Sequence, residues 1–227
     1  MKVNLGCGSN LFEGWLNCDI DDVNETYIRH LWDAQNVDGW PEWQQEQWRY
    51  LHSGGSGGNF RFRQLDFVHD DWVAELKCEG RCDAIYLGQV VEHLNAREEL
   101  PKVLAQCLRA LKPEGILRMT TPDIDTIVTH YNRDLMGNFA SEQPEFYARA
   151  HRADQLAYLL FGATGPNCTR KNYEGHFHGY VPDTLLSRCI EAGFSVHDWN
   201  THWPSKRLPD VRDFGQSHSF ALEVTKP

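Results

Sequence analysis

The chain has 227 residues and a net charge of −10, because 32 Asp and Glu outnumber 22 Lys and Arg. An acidic surface repels phosphate backbones and anionic lipid headgroups, so the composition argues against nucleic acid and membranes as partners. No apolar stretch approaches the roughly 18 residues that a membrane-spanning helix needs. With 41% hydrophobic and 24% charged residues, the composition excludes collagen-like and wholly disordered chains.

The cysteine content and the amino terminus predict the cellular compartment. Seven cysteines are an odd number in a chain too long to depend on disulfide bonds for stability. The segment Met1–Asn4 becomes polar too early for a secretory signal peptide. We therefore expect reduced thiols and a cytoplasmic location.

Strand signals dominate the amino-terminal half of the chain. The predicted strands there are 2–5, 15–20, 61–67 and 83–87. The fourth of these has the continuous apolar character of a buried parallel strand. A helix is predicted to open between Asp38 and Pro41, because proline is tolerated at a helix start, and to end before the Gly/Ser-rich link at 53–58.

The clearest helix signal follows the fourth strand. Apolar side chains recur at helical spacing from Leu100 to Leu111, Pro101 suits the first turn, and Lys112–Gly115 ends the helix. The remaining predicted elements are a strand at 116–120, a mostly helical stretch at 124–180, a helix at 182–192, and strands at 194–199 and 217–225. Strands that alternate with helices predict a doubly wound α/β fold with a mostly parallel, seven-stranded sheet. We expect one domain, residues 1–227, with a helical insertion after the fifth strand.

A glycine turn, Gly6-Cys7-Gly8, follows the first predicted strand directly. Glycine lets the backbone approach a ligand closely, and the turn's N–H groups are then available to it. A dinucleotide-binding fingerprint would place a third glycine at position 11 and an acid about 20 residues further on. Position 11 is Leu11, and the nearest acid at a strand end is Asp19, so the spacing disfavours a nicotinamide cofactor. It suits a ligand that has a ribose and no pyrophosphate.

Several motifs in a fixed order give the chain a resemblance to a known family. They are Asn4–Gly8, Asn17–Ile20, Gln64–Phe67, Asp83–Gly88, Glu92–Leu94 and Leu111–Gly115. In this order they resemble the class I S-adenosylmethionine-dependent methyltransferases, a family with a Rossmann-like fold. Gly175-His176 and Ala192–Phe194 are similar to the tail of a bacterial subfamily of small-molecule and glycan-pathway enzymes.

The resemblance implies S-adenosylmethionine as the cofactor and assigns a role to each matching residue. Gly6 and Gly8 would admit the methionyl end, with Cys7 as filler between them. Asp19 would accept from both ribose hydroxyls, and Asp66 from the adenine amino group. The other implied cofactor-binding residues are Ile20 beside Asp19, Leu65 and Phe67 on either side of the adenine ring, and Leu87 and Gly88 at the methionyl amine. The alternative for both aspartates is a carboxylate that only caps a turn or a helix.

His93, His176 and Tyr180 are the candidate catalytic residues. His93 follows the fourth strand, at the edge where open α/β sheets bind ligands, and its imidazole could remove a proton from an acceptor. The alternative is that His93 hydrogen bonds to Glu92 or to a backbone carbonyl and only shapes the loop. His176 and Tyr180 would contact the acceptor. We predict no metal site, because spacing fixes no third ligand near His176 and the gap from Cys78 to Cys82 is wrong for a zinc knuckle.

The predicted function is methyl transfer from S-adenosylmethionine to a hydroxyl or amine of a small-molecule acceptor. Residues 124–180 would form a lid over the acceptor, and the alternative is plain surface helices. A rival function on the same fold is a cyclase or lyase that consumes S-adenosylmethionine and releases methylthioadenosine. A second rival is a non-catalytic subunit that binds the cofactor without turnover. The only macromolecular partner that we expect is a second copy of the chain, in a homodimer.

Overall fold

The computed structural model describes residues 1–8, 10–20, 37–39, 45, 48, 61–139, 144–161, 175–196, 204–213 and 218–227. Most of the helix predicted after Asp38, and the whole of the link at 53–58, lie outside the described residues. Within them, the chain forms an α/β structure with six named strands. No described helix is both long enough and apolar enough to cross a membrane.

The six strands form one sheet in the order β3-β2-β1-β4-β5-β6. They are β1 (Lys2–Leu5), β2 (Leu16–Asp19), β3 (Arg61–Gln64), β4 (Cys82–Gly88), β5 (Leu111–Pro122) and β6 (Ser219–Thr225). The first five strands are parallel to their neighbours, and β6 runs antiparallel to β5. The strand order reverses between β1 and β4, so their carboxyl ends form the crevice where such sheets bind ligands.

Helices cover the sheet and extend beyond its carboxyl edge. They are α1 (Trp72–Glu75), α2 (Glu99–Ala110), α3 (Ile124–Asn132), α4 (Pro144–Arg149), α5 (Arg152–Phe161) and α6 (Pro182–Glu191), with 3-10 turns at Val91–His93 and Met136–Phe139. The apolar face of α2 is fully buried in the main core, which confirms the helical spacing seen in the sequence. α3, α4, α5 and the 3-10 turn Met136–Phe139 share a small core of their own, made of Ile127, Met136, Phe139, Tyr147 and Leu159.

Two strand boundaries differ from the prediction for identifiable reasons. The third strand ends at Gln64 rather than at residue 67, because the carboxylate of Asp66 accepts backbone N–H groups and turns the chain. The predicted turn Lys112–Gly115 is a bulge inside β5, where the pairing with β4 skips from Leu111 to Ile116. Its exposed residue Glu114 has a φ of +61° and donates its N–H to the carbonyl of Lys226.

The seventh strand, predicted at 194–199, stays a prediction. Ser195 and Thr225 exchange two backbone hydrogen bonds of 2.8 and 3.0 Å, in an antiparallel bridge at the outer edge of β6. Residues 197–200 lie outside the described part of the chain. The bridge puts residue 195 where a strand next to β6 would begin.

Candidate active site

The glycine turn after β1 has the backbone conformation that only glycine adopts at low cost. Gly6 has a φ of +66° and Gly8 a φ of +48°. A Cβ on Gly6 would lie 2.6 Å from Cγ2 of Val90, whereas a Cβ on Gly8 would meet nothing within 4 Å. Gly6 is therefore required for packing against the segment after β4, and Gly8 faces open space at the crevice.

Asp19, at the end of β2, is tied to this turn. Its Oδ2 accepts the N–H of Gly8 at 2.7 Å, and its Oδ1 accepts the N–H of Ile20 at 2.8 Å. A carboxylate has about four lone-pair sites, and a bidentate acceptor of this kind suits a diol. Cys7 lies buried between the glycines, and burial followed by the nearby charge of Asp19 raises the pKa of its thiol. The thiol is thus a neutral filler.

Asp66 has a structural role in addition to the predicted one. Its Oδ1 accepts the N–H groups of Val68 and His69 at 3.1 and 3.0 Å, and its Oδ2 lies 2.8 Å from Nδ1 of His69. Burial raises the pKa of Asp66, but these bonds from His69 and Val68 outweigh burial and lower it overall. The capping role proposed as the alternative is therefore present, and a lone-pair site remains for an adenine amine.

The other implied cofactor contacts lie at the same edge. Leu65 and Phe67 are buried on either side of Asp66, and the Phe67 ring approaches the position of a Cβ on Gly6 to 3.5 Å. The side chain of Leu87 points into the main core, which leaves its backbone for a ligand. Gly88 ends β4 and is only partly buried.

These features fit a nucleoside cofactor with an amino acid chain. The turn offers open space beside Gly8, the carboxylate of Asp19 suits a ribose diol, and apolar side chains flank Asp66. The chain carries Leu11 where a dinucleotide-binding fold needs a glycine.

The segment that follows β4 brings two histidines together. The rings of His93 and His176 are 5.0 Å apart between centroids and cross at 74°. Nδ1 of His93 lies 3.0 Å from the carbonyl oxygen of Gly175, so Nδ1 carries the proton and Nε2 has a free lone pair. Burial lowers the pKa of His93, and the Gly175 carbonyl offsets this only in part. Burial, with the nearby imidazole of His93, lowers the pKa of His176 to about 4.

Tyr180 is placed differently from what the sequence suggested. It is 1% exposed and packs in the main core, while its backbone pairs with Asp123 at the end of β5. Its hydroxyl has no hydrogen-bond partner among the described residues. Burial raises the pKa of this hydroxyl, with the charge of Glu92 adding to the shift. Contact between Tyr180 and an acceptor stays a prediction.

A comparison with models of protein families identifies the family of the chain. A family model described as "Methyltransferase domain" matches residues 3–119, just over half of the chain and all of the strands from β1 to β4. The chain belongs to this methyltransferase family. Membership confirms that the protein is an enzyme and that its cofactor is S-adenosylmethionine. No curated protein matches the methyltransferase by sequence.

Solved structures show the same fold at low sequence identity. A SAM-dependent methyltransferase from Methanosarcina mazei is 12% identical, with a TM-score of 0.52 over 99% of this chain and 91% of that one. A protein from Pyrococcus horikoshii is 14% identical, with a TM-score of 0.51 over 100% of this chain and 81% of that one. These similarities confirm the Rossmann-like fold of the methyltransferase.

Sequence reasoning missed one functional candidate of the methyltransferase, Glu92. Its side chain is 1% exposed, and neither carboxylate oxygen has a hydrogen-bond partner among the described residues. Burial raises the pKa of this carboxyl to about 8. The sequence signals were its place in the motif Glu92–Leu94 and its position beside His93, and nothing in the local pattern indicated burial.

Proposed function

We propose that the enzyme transfers the methyl group of S-adenosylmethionine to a hydroxyl or amine of a small-molecule acceptor. The observation that carries the proposal is a pair of neutral imidazoles next to the glycine turn. Val90 packs against Gly6, so the 3-10 turn containing His93 follows directly from the wall of the cofactor crevice. An acceptor bound at His93 and His176 would therefore lie next to the cofactor's reactive end.

The chain's own residues account for cofactor binding. Asp19 would accept from the ribose hydroxyls, Asp66 from the adenine amine, and the backbone of Leu87 and Gly88 from the methionyl amine. Gly8 would leave the space that the methionyl chain needs. When bound, the cofactor supplies an electrophilic methyl group on a sulfonium. We expect micromolar affinity, or about −8 kcal/mol.

His93 is the general base in this proposal. The Gly175 carbonyl fixes the tautomer, so Nε2 can accept a proton from the acceptor's hydroxyl or ammonium group. The lowered pKa of His93 keeps the ring neutral, and therefore competent as a base, at pH 7. His176 would orient the acceptor through its own lone pair, since alignment of the reacting atoms supplies much of the rate enhancement.

The helices after β5 are proposed as a lid over the acceptor. α3, α4 and α5 share a small core that is separate from the main one. The side chains of Phe161, at the end of α5, and Phe177 are 58% and 66% exposed, and the N–H of His176 donates to the carbonyl of Phe161 at 3.0 Å. These two rings would give an acceptor an apolar surface beside His176.

The finer expectations from the sequence belong to the same proposal. They are a single domain over residues 1–227, a seventh strand at 194–199, membership of a bacterial small-molecule or glycan-pathway subfamily, a cytoplasmic location and a homodimer. The acidic composition supports a partner other than nucleic acid or membrane.

The test separates methyl transfer from chemistry on the cofactor itself. The protein is incubated with S-adenosylmethionine alone and with a panel of phenols, sugar alcohols and primary amines, and the products are followed by mass spectrometry. We expect S-adenosylhomocysteine only when an acceptor is present, and its loss in Asp19→Ala but not in the exposed control Glu79→Ala. Methylthioadenosine formed from the cofactor alone would replace this proposal with the cyclase or lyase. Binding without turnover across the panel would favour the non-catalytic subunit.

A further inference from the structure

Three potential metal ligands meet at the carboxyl edge of β4. One ligand atom each from Glu92, His93 and His176 lies within 4.8 Å of the others. Two of these residues belong to the 3-10 turn after β4, and the third comes from a segment more than eighty positions later. The segment is fixed to the turn, because the N–H groups of Phe177 and His178 both donate to the carbonyl of Glu92, at 2.8 and 3.2 Å.

The burial of the Glu92 carboxylate is a second, independent indication of a ligand. Both carboxylate oxygens are buried, and no hydrogen bond of normal geometry reaches them from the described residues, although the nearby Thr121 hydroxyl and the backbone N–H of Glu92 lower the pKa of the carboxyl against the larger effect of burial. A buried carboxylate without a partner costs several kcal/mol, so such groups are normally paired, bound to a metal or kept protonated. No described Lys or Arg forms an ion pair with Glu92. A cation between the three side chains would supply the missing partner.

The orientation of His93 also suits a metal ligand. Histidines that bind metals usually donate the other ring N–H to a backbone carbonyl or a carboxylate, which fixes the tautomer and directs the free nitrogen to the ion. His93 makes this contact through Nδ1 to the carbonyl of Gly175. A metal needs the deprotonated nitrogen as its ligand, and Nε2 has that form.

We propose that Glu92, His93 and His176 bind a divalent transition-metal ion, with Zn²⁺ as the expected ion. Two nitrogen ligands and one oxygen ligand suit Zn²⁺, whereas Mg²⁺ and Ca²⁺ prefer sets made only of oxygen. Metal–ligand bond lengths of 2.0–2.2 Å require ligand atoms that are roughly 3.4 Å apart. Side-chain rotations that move these atoms by about 1 Å would therefore bring them to bonding distance. Three protein ligands leave at least one coordination position open, as in catalytic rather than structural zinc sites.

An open coordination position would be available to the acceptor proposed above. This part of the inference rests on the proposed function: an acceptor that has a hydroxyl or a phenol oxygen would occupy the free position. The ion would then orient that oxygen and lower its pKa, so His93 would serve as a metal ligand instead of a free base. Metal binding itself does not depend on methyl transfer.

The test uses full-length, tag-free protein. After removal of weakly bound metal by a desalting column, we expect about one equivalent of zinc by mass spectrometry, and Co²⁺ added to chelator-treated protein should give visible absorption bands of a four- or five-coordinate site. His176→Ala and Glu92→Gln should each weaken zinc binding at least about 100-fold, since the loss of outer-shell partners alone costs 10–100-fold. His178→Ala, an exposed histidine in the same segment, is the matched control and should bind zinc as the unsubstituted protein does.

The outcomes distinguish this proposal from other causes of metal binding. Calorimetry with S-adenosylhomocysteine and circular dichroism verify that each variant folds and still binds the cofactor, so a failure of the proposed function leaves the zinc measurement valid. Equal zinc affinity in His176→Ala and His178→Ala would overturn the proposal. So would binding that is lost in Cys78→Ala, which would assign the ion to the thiol pair Cys78 and Cys82, or the absence of both zinc and a Co²⁺ spectrum.

Discussion

At the scale of single residues, the glycine turn separates folding from ligand binding. Both glycines have positive φ, so a side chain at either position strains the backbone. Only at Gly6 does a Cβ also collide with a neighbour, at 2.6 Å from Val90. The space beside Gly8 is open in the protein and is proposed to receive the cofactor's methionyl chain.

Alanine substitutions at the two glycines should therefore have different consequences. We expect Gly6→Ala to lower the free energy of unfolding by more than about 2 kcal/mol, because strain and the collision add. Gly8→Ala should lower the free energy of unfolding by about 1 kcal/mol from strain alone. It should also weaken the binding of S-adenosylhomocysteine by more than this loss of stability explains. Urea denaturation and calorimetry measure the two quantities. Equal losses of stability at both positions would contradict the packing role of Gly6.

Glu92 shows at the same scale why part of the site could not be predicted. The sequence places Gly6, Gly8 and Asp19 at strand ends by spacing alone, and in the structure the carboxylate of Asp19 accepts the N–H of Gly8. The burial of Glu92 depends on a segment that is distant in the chain, which covers the turn after β4. No periodic pattern records such a contact, so the third potential ligand emerged only from the fold.

At the scale of elements, strong local sequence patterns were sufficient to predict the sheet, but not where a strand ends or bulges. β1, β4 and α2 were predicted because apolar runs or helical spacing identify them directly. The end of β3 and the bulge in β5 depend on side-chain capping by Asp66 and on pairing with β4, which are specific contacts without a composition signal. The helices after β5 were predicted as a group, and their separate small core was not.

That separate core underlies a prediction about the lid. If α4, α5 and residues 175–180 close over ligands, backbone hydrogen exchange there should slow when S-adenosylhomocysteine and an acceptor are bound together, because lids are drawn from the less stable parts of a fold. α2, buried in the main core, is the internal control and should change little. Equal exchange in the described helices with and without ligands would favour plain surface helices.

At the scale of the whole molecule, stability and the proposed ligand binding depend on different sets of residues. The carboxyl edge of the sheet carries the proposed cofactor and metal residues. Elsewhere, Arg118 of β5 pairs with Asp213 and Glu223, and all three side chains are almost fully buried. Ser205 donates its hydroxyl to Glu223 and accepts the N–H of Leu208 at 2.9 Å. This network joins residues 204–213 to the sheet.

Thermal unfolding should distinguish, in one experiment, the residues that bind the cofactor from those that stabilise the fold. At 100 times its Kd, S-adenosylhomocysteine should stabilise the protein by about 2.7 kcal/mol, which raises Tm by roughly 5–10 °C in a chain of this size. Asp19→Ala removes hydrogen bonds to the ligand worth about 1.5–3 kcal/mol, so at the same ligand concentration the rise should shrink to a few degrees. Ser205→Ala leaves a buried N–H without a partner, which should lower Tm by about 5 °C without ligand and leave the ligand-induced rise intact. A full ligand-induced rise in Tm in Asp19→Ala would contradict the assignment of the ribose to that carboxylate. A reduced ligand-induced rise in Ser205→Ala would show that the buried network and the cofactor site are coupled.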